Sequence, residues 1–203
     1  MSKQEDSAAY HEVGHITAAV VQAMPIRASA LHVDLYGNGC ADYFERPLSD
    51  LGMTDLDHRE RKLSMIALFA AHAAQQRFYP ECQTTGWTSD MGKIRAFALQ
   101  LHPGDPLAQL EVQSDMQKRA EKLVTVHWAI IEELAKTLLE KSCTPLSQEV
   151  INVGGGTGAV EHNITGEELV AFFAKHNIKA KIVDDSVRAY DSSQDIPHYD
   201  SLA

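Results

Sequence analysis

Cysteine is scarce in this chain. Three are present among 203 residues, Cys40, Cys82 and Cys143, widely spaced and without a CxxC pair. A disulfide framework or a thiolate zinc site is therefore not expected, and a reducing, cytoplasmic setting is the simplest expectation. Basic residues are also few. The 18 Lys and Arg stand against 28 Asp and Glu, a formal net charge of −10. Non-specific binding to nucleic acid or to an anionic membrane needs a positive surface, so neither is expected as a partner. Long apolar runs are missing too. The longest, Met65 to Ala71, is far short of the ~20 residues that span a bilayer. The polar, acidic first ten residues predict no secretory signal.

What is present is ordinary for a globular domain, with 44% apolar and 23% charged residues. A chain of this length buries most of its unfolded surface without staples. Residues 2–23 read as a helix rich in Ala, Glu and Gln, with Pro25 just beyond it. Ala30 to Tyr36 alternates, with Leu31, Val33 and Leu35 on one face, and predicts a half-buried strand. Gly37-Asn38-Gly39 predicts a turn, and Cys40 to Glu45 a returning hairpin strand. Leu48 to Thr54 reads as loop. Helical spacing covers Leu56 to Phe78, stopped by Pro80, then Ser89 to Leu101, then a single long helix from Leu107 to Lys141. Val153 to Gly158 is a glycine-rich break. Thr165-Gly166-Glu167-Glu168 has the capping-box pattern and predicts a short helix to about Lys175. After Ile182 the chain is polar and acidic and reads as a tail.

The stretch that carries chemistry is His11-Glu12-Val13-Gly14-His15, inside the first helix. Histidines at i and i+4 lie one turn apart on one face, so both imidazoles reach one ion. Glu12 projects beside them, where it can take a proton from a metal-activated water. With ten His and 14 Glu in the chain, about 0.03 chance matches to this pattern are expected. Ala8, Ala9, Val13, Ile16, Ala19 and Val20 make the helix mostly buried, so its polar groups need partners. A metal held with one position open for water needs a third protein ligand. Ala18 and Val21 stand where the metzincin pattern requires Gly and His, which excludes that class. No Glu on the following helix is a convincing third ligand of the thermolysin type.

Here the sequence resembles a known family. Ala9 to His15 is similar to the start of the peptidase domain of the FtsH-type zinc metalloproteases (family M41). In that family the HExxH helix is followed by a strand, a helix ending in Gly-Gly-Arg-Ala-Ala-Glu, then Thr-Thr-Gly and an Asp at the head of a helix. This chain has the parts in order: the strand at Ala30 to Tyr36, Ala70-Ala71-His72-Ala73-Ala74-Gln75, and Thr84-Thr85-Gly86-Trp87-Thr88-Ser89-Asp90. Ile130 to Leu146 resembles the family's closing helix and turn, so the likeness covers roughly residues 8 to 150. It implies zinc as cofactor, His11, His15 and Asp90 as ligands, and Glu12 as general base. It implies a mainly α fold, a helical bundle around the metal with a small β-hairpin. The exposed edge of the Ala30–Tyr36 strand would hold an extended peptide. Residues 1–152 would form the peptidase domain, and 153–203 a glycine linker, short helix and acidic tail.

The chain also departs from the family. Two glycines, an Arg and a Glu of the middle motif are replaced by Ala70, Ala71, His72 and Gln75. Gln75 keeps hydrogen-bonding ability and loses a charge. Only ten residues precede His11, with no ATPase loop of the Gly-x4-Gly-Lys-Ser/Thr type. Asp90 has a second reading as a helix N-cap, shared with Thr88 and Ser89. His72 and His127 read as core histidines, and Trp87 as packing. The expected function is a stand-alone zinc metallopeptidase acting on peptides or unfolded segments. A homo-oligomer or a separate ATPase is compatible with that role. The alternatives are a non-catalytic metal-binding regulatory module, or a protease that cuts one specific partner.

Overall fold

The computed structural model describes residues 3–34, 38–43, 54–81, 86–141, 144–145 and 160–183. Among them are six helices: α1 (Lys3–Val21), α2 (Asp55–Phe78), α3 (Gly86–Leu101), α4 (Pro106–Val126), α5 (Trp128–Glu140) and α6 (Gly166–Lys175). Five strands, β1 (Ile26–Asp34), β2 (Gly39–Tyr43), β3 (Thr144–Pro145), β4 (Val160–Ile164) and β5 (Ile182–Val183), form a small mixed sheet. The protein is thus mainly helical. No helix among the described residues is long and apolar enough to cross a membrane.

α1 is the central element. Every residue from Ser7 to Val20 is buried, and the helix packs against α2, α5, β1 and β2. Its small residues make this possible. A Cβ on Gly14 would lie 2.7 Å from the Ala71 Cα and 2.8 Å from the Ala70 carbonyl oxygen. The missing side chain lets the α2 backbone come within contact of α1, and Ala67, Ala70, Ala71 and Ala74, all buried, form the matching face. α2 begins at a capping box, with the Asp57 amide donating to Thr54 Oγ1 and the Thr54 amide to the Asp57 carboxylate.

The long helix expected from Leu107 to Lys141 is interrupted. His127, at φ −101° and ψ 17°, separates α4 from α5. α4 runs along α2 and α3, whereas α5 packs on α1, where Trp128 stacks on Tyr10 at 5.6 Å between ring centroids. The apolar residues between Leu107 and Lys141 therefore form not one stripe but two, Val112, Met116, Ala120, Leu123 and Val124 on α4 and Ile131, Leu134, Ala135 and Leu138 on α5, serving two sets of neighbours. His127 is half-buried at this break rather than a core residue within one helix.

The sheet order is β2-β1-β4-β3, with β5 pairing in parallel with the start of β1. The β1–β2 hairpin forms as expected, antiparallel, with Val33 opposite Gly39 and His32 opposite Cys40. The sheet is larger than a hairpin because β4 adds to β1 on its other side, Leu31 opposite Ile164 and Asp34 opposite Glu161. The Ala30–Tyr36 strand therefore has no exposed edge over Leu31 to Val33, and the outer strands among the described residues are β2 and β3 instead. α6 starts at the Thr165 capping box and ends at Lys175, as its sequence predicts. Its Phe172 and Phe173 join Ile16, Leu31 and Leu134 in one core. Residues 160–183 thus share the sheet and the core of the N-terminal helices. The expected loop at residues 48–53, the glycine break at 153–158, Thr84, Thr85 and the acidic tail from residue 184 lie outside the described residues.

Candidate metal centre

The structure brings His11, His15 and Asp90 together, with one ligand atom from each within 4.8 Å of the others. His11 and His15 come from adjacent turns of α1, and their rings meet edge to face at 4.9 Å. Asp90 comes from α3. That helix begins at Gly86, so Asp90 lies past its first turn and is not the N-cap. The three residues are 6%, 6% and 7% exposed, and Glu12 is 8% exposed. Four ionisable groups this deep in a core need compensation.

The compensation is legible atom by atom. His11 Nδ1 lies 3.0 Å from Gln75 Oε1, and the Gln75 amide nitrogen donates to Ser7 Oγ at 2.8 Å. His15 Nδ1 lies 3.1 Å from the Ala67 carbonyl oxygen. A carbonyl only accepts, so both imidazoles carry their hydrogen on Nδ1. Nε2 of each ring then faces Asp90 Oδ2, at 3.1 Å from His11 and 3.4 Å from His15. For neutral rings these are lone pairs converging on an oxygen that has no hydrogen-bond donor among the described residues. Such a cluster requires positive charge at its centre, supplied by a proton on a ring or by a cation. Two outward-held imidazole nitrogens, a carboxylate oxygen and an oriented partner behind each ring match the donor set of a transition-metal site.

The proton alternative is visible in the electrostatics. Burial alone would lower the affinity of His11 for a proton, but Asp90 and Glu12 outweigh it and the net shift is upward. Burial would raise the Asp90 carboxyl, yet the two histidines hold it well below the usual carboxylate range. A cation at the same point would replace the proton and draw on the same carboxylate.

Glu12 makes no hydrogen bond or ion pair among the described residues and packs against the backbone of β2 at Gly39. His72, one turn before Gln75 on α2, stacks on Trp87 at 3.8 Å, and Trp87 also packs near Phe69. The His72–Trp87 pair thus tightens α2 against α3, the two helices that carry Gln75 and Asp90. Burial, with the charge of His11, lowers the His72 pKa. His162 is engaged elsewhere, with its Nδ1 2.8 Å from the Lys141 carbonyl oxygen. Sequence reasoning missed three contributors: Ser7, the Ala67 carbonyl and Gly39. The spacing of Ala67, Ala71 and Gln75 at i, i+4 and i+8 was a usable signal, since it places one face of α2 against the HExxH turn. A scan against protein-family models finds no matching family, and a search of curated proteins finds no similar chain.

Proposed function

We propose that this chain is a zinc-dependent peptidase of the FtsH type that hydrolyses peptide bonds in peptides or unfolded segments. The observation that carries the reading is the convergence of both Nε2 atoms on Asp90 Oδ2, with the buried Glu12 carboxylate alongside making no hydrogen bond among the described residues. His11, His15 and Asp90 would hold the ion. When bound, zinc supplies a Lewis acid that brings a water's pKa near 7 and polarises the scissile carbonyl. Gln75 and the Ala67 carbonyl keep the two rings turned toward the centre. Glu12 takes the proton of the attacking water as its oxygen bonds to the carbonyl carbon. The same carboxyl then delivers that proton to the departing amine as the C–N bond breaks. β2 is an outer strand of the described sheet, and an extended peptide laid along it would gain backbone hydrogen bonds beside Glu12.

A non-catalytic metal-binding module is the second reading. It is favoured by Gln75, which supports His11 with a neutral amide and gives a less basic ligand than a carboxylate would. One experiment separates them. Purified chain supplied with zinc is expected to hold about one zinc by elemental analysis, and Asp90→Ala, folded by circular dichroism, is expected to hold far less. Glu12→Gln is expected to keep the zinc and lose roughly 10²–10⁴-fold in peptide cleavage. Zinc retention with no cleavage by the unaltered chain would leave the module. No zinc in the unaltered chain would end both readings.

A further inference from the structure

Gly39 opens β2, and its backbone torsion is not in the left-handed region that demands glycine. Something other than conformation has to account for the missing side chain. A Cβ placed there meets the Glu12 Cγ most closely, then Glu12 Oε1 at 2.7 Å and Cδ at 2.8 Å. All three nearest atoms belong to one side chain. The space that glycine leaves at position 39 is filled by Glu12.

We infer that Gly39 is the positioning residue for Glu12. Its bare backbone is the wall that sets where the carboxylate stands over the metal centre. The catalytic consequence rests on the peptidase reading, whereas the contact does not. The geometry also says which partner yields when the wall is thickened. β2 is pinned at this end. The Asp34 amide donates to the Asn38 carbonyl at 2.8 Å, and the Asn38 amide and side-chain nitrogen each donate to the Asp34 carboxylate at 2.8 Å. Gly39 itself is in register with Val33, which is fully buried. The strand is thus tied to the centre of the sheet immediately beside the contact. Glu12 is less constrained. The crowded atoms include its Cγ, so relief requires a new side-chain rotamer rather than a small swing of the carboxylate. A helix offers few such rotamers. Any of them moves the carboxylate away from the attacking water, while His11, His15 and Asp90 keep their places.

Thermal unfolding of the full-length chain tests this with a double-mutant cycle of Gly39→Ala and Glu12→Ala. Gly39→Ala is expected to lower the midpoint by roughly 3–8 °C. The same change made in Glu12→Ala, where the crowded atoms are gone, is expected to lower it by less than half as much. Equal losses in both backgrounds would overturn the assignment, because they would place the effect in the strand. If Gly39→Ala alone does not fold, recovery of folding in the double variant supports the contact and failure to recover rejects it. In the zinc-loaded chain, Gly39→Ala is expected to reduce kcat roughly 10²-fold, with KM within about twofold and zinc content unchanged. It is expected to add nothing to the loss in Glu12→Gln. Additive losses in that background would overturn the assignment. If the unaltered zinc-loaded chain cleaves nothing, the peptidase reading fails, and the unfolding cycle still decides the contact.

Discussion

His11 and His15 sit one turn apart on the same helix and aim Nε2 at the same carboxylate oxygen, yet they are held by different kinds of partner. His11 is steadied by a side chain, Gln75, which is itself tied to Ser7. His15 is steadied by the main-chain carbonyl of Ala67. One support is written in a residue and can be changed without moving the backbone. The other follows from how closely α1 and α2 pack, so it belongs to the fold. The candidate site therefore has one adjustable imidazole and one fixed imidazole, and that difference can be broken or sharpened by experiment.

The largest effect is expected where the two supports share a cause. Gly14 lets α2 approach α1, so Gly14→Ala disturbs both rings together. The new Cβ meets backbone, at 2.7 Å from the Ala71 Cα, which cannot turn aside as a flexible side chain would. A stability loss of about 1–3 kcal/mol is expected in urea unfolding. Zinc affinity should fall roughly 10²–10⁴-fold, the product of two lost supports. Unchanged zinc affinity in a folded Gly14→Ala chain would show that the helix spacing does not orient the rings. Gln75→Leu should reach His11 alone. Loss of a partner behind one ligand costs roughly 10–100-fold in metal affinity, read by competition with a zinc chelator. Gln75→Glu should recover or exceed the original affinity, because a carboxylate makes the imidazole more basic. Full zinc affinity in Gln75→Leu would remove the distinction between the two histidines.

The smallest expected effect is a pH dependence. His11 binds its proton more tightly in the folded chain than its ordinary value of 6.5. Its contribution to metal-free stability is therefore fully present below about 6.5 and is lost as pH rises through the raised folded value. Zinc needs the same nitrogen deprotonated, so its stabilisation grows over the same window. With chelator present the unfolding midpoint should decline by a few degrees from about pH 6.5 upward. The extra stabilisation from added zinc should increase over that range. A zinc effect that is constant across the window would show that His11 does not give up its proton to the metal.

Much of this was legible before any fold was known. The HExxH turn places two imidazoles on one face with a carboxylate beside them by helical geometry alone, and Thr165 and Glu168 announce the start of α6 and its cap. Asp90 was legible only through resemblance, because a lone Asp near a helix start is equally a cap. The break at His127 was hidden because the apolar stripe continues through it, and only the different neighbours of α4 and α5 divide the stripe. The Ala67 carbonyl itself carries no residue signature, since any residue has one, and only the spacing of Ala67, Ala71 and Gln75 marks the face of α2 that supplies it. β4 was missed because Val160 to Ile164 is short and mixed, and its pairing with β1 is set by tertiary contacts.

That pairing has a consequence in time. Leu31 in β1 is matched with Ile164 in β4, so the middle of the sheet joins parts of the chain that are far apart in order of synthesis. At about 5–20 residues per second, β4 emerges roughly 7–27 s after β1. Through that interval α1, α2 and the hairpin can assemble, while one side of β1 still presents unpaired amides and carbonyls. An open strand edge is a template for pairing with another chain. The residues after the glycine-rich segment thus act as a late closure on the nascent protein. A chain cut before Val160 would keep the histidines, the aspartate and the glutamate, and would leave that edge uncovered for good.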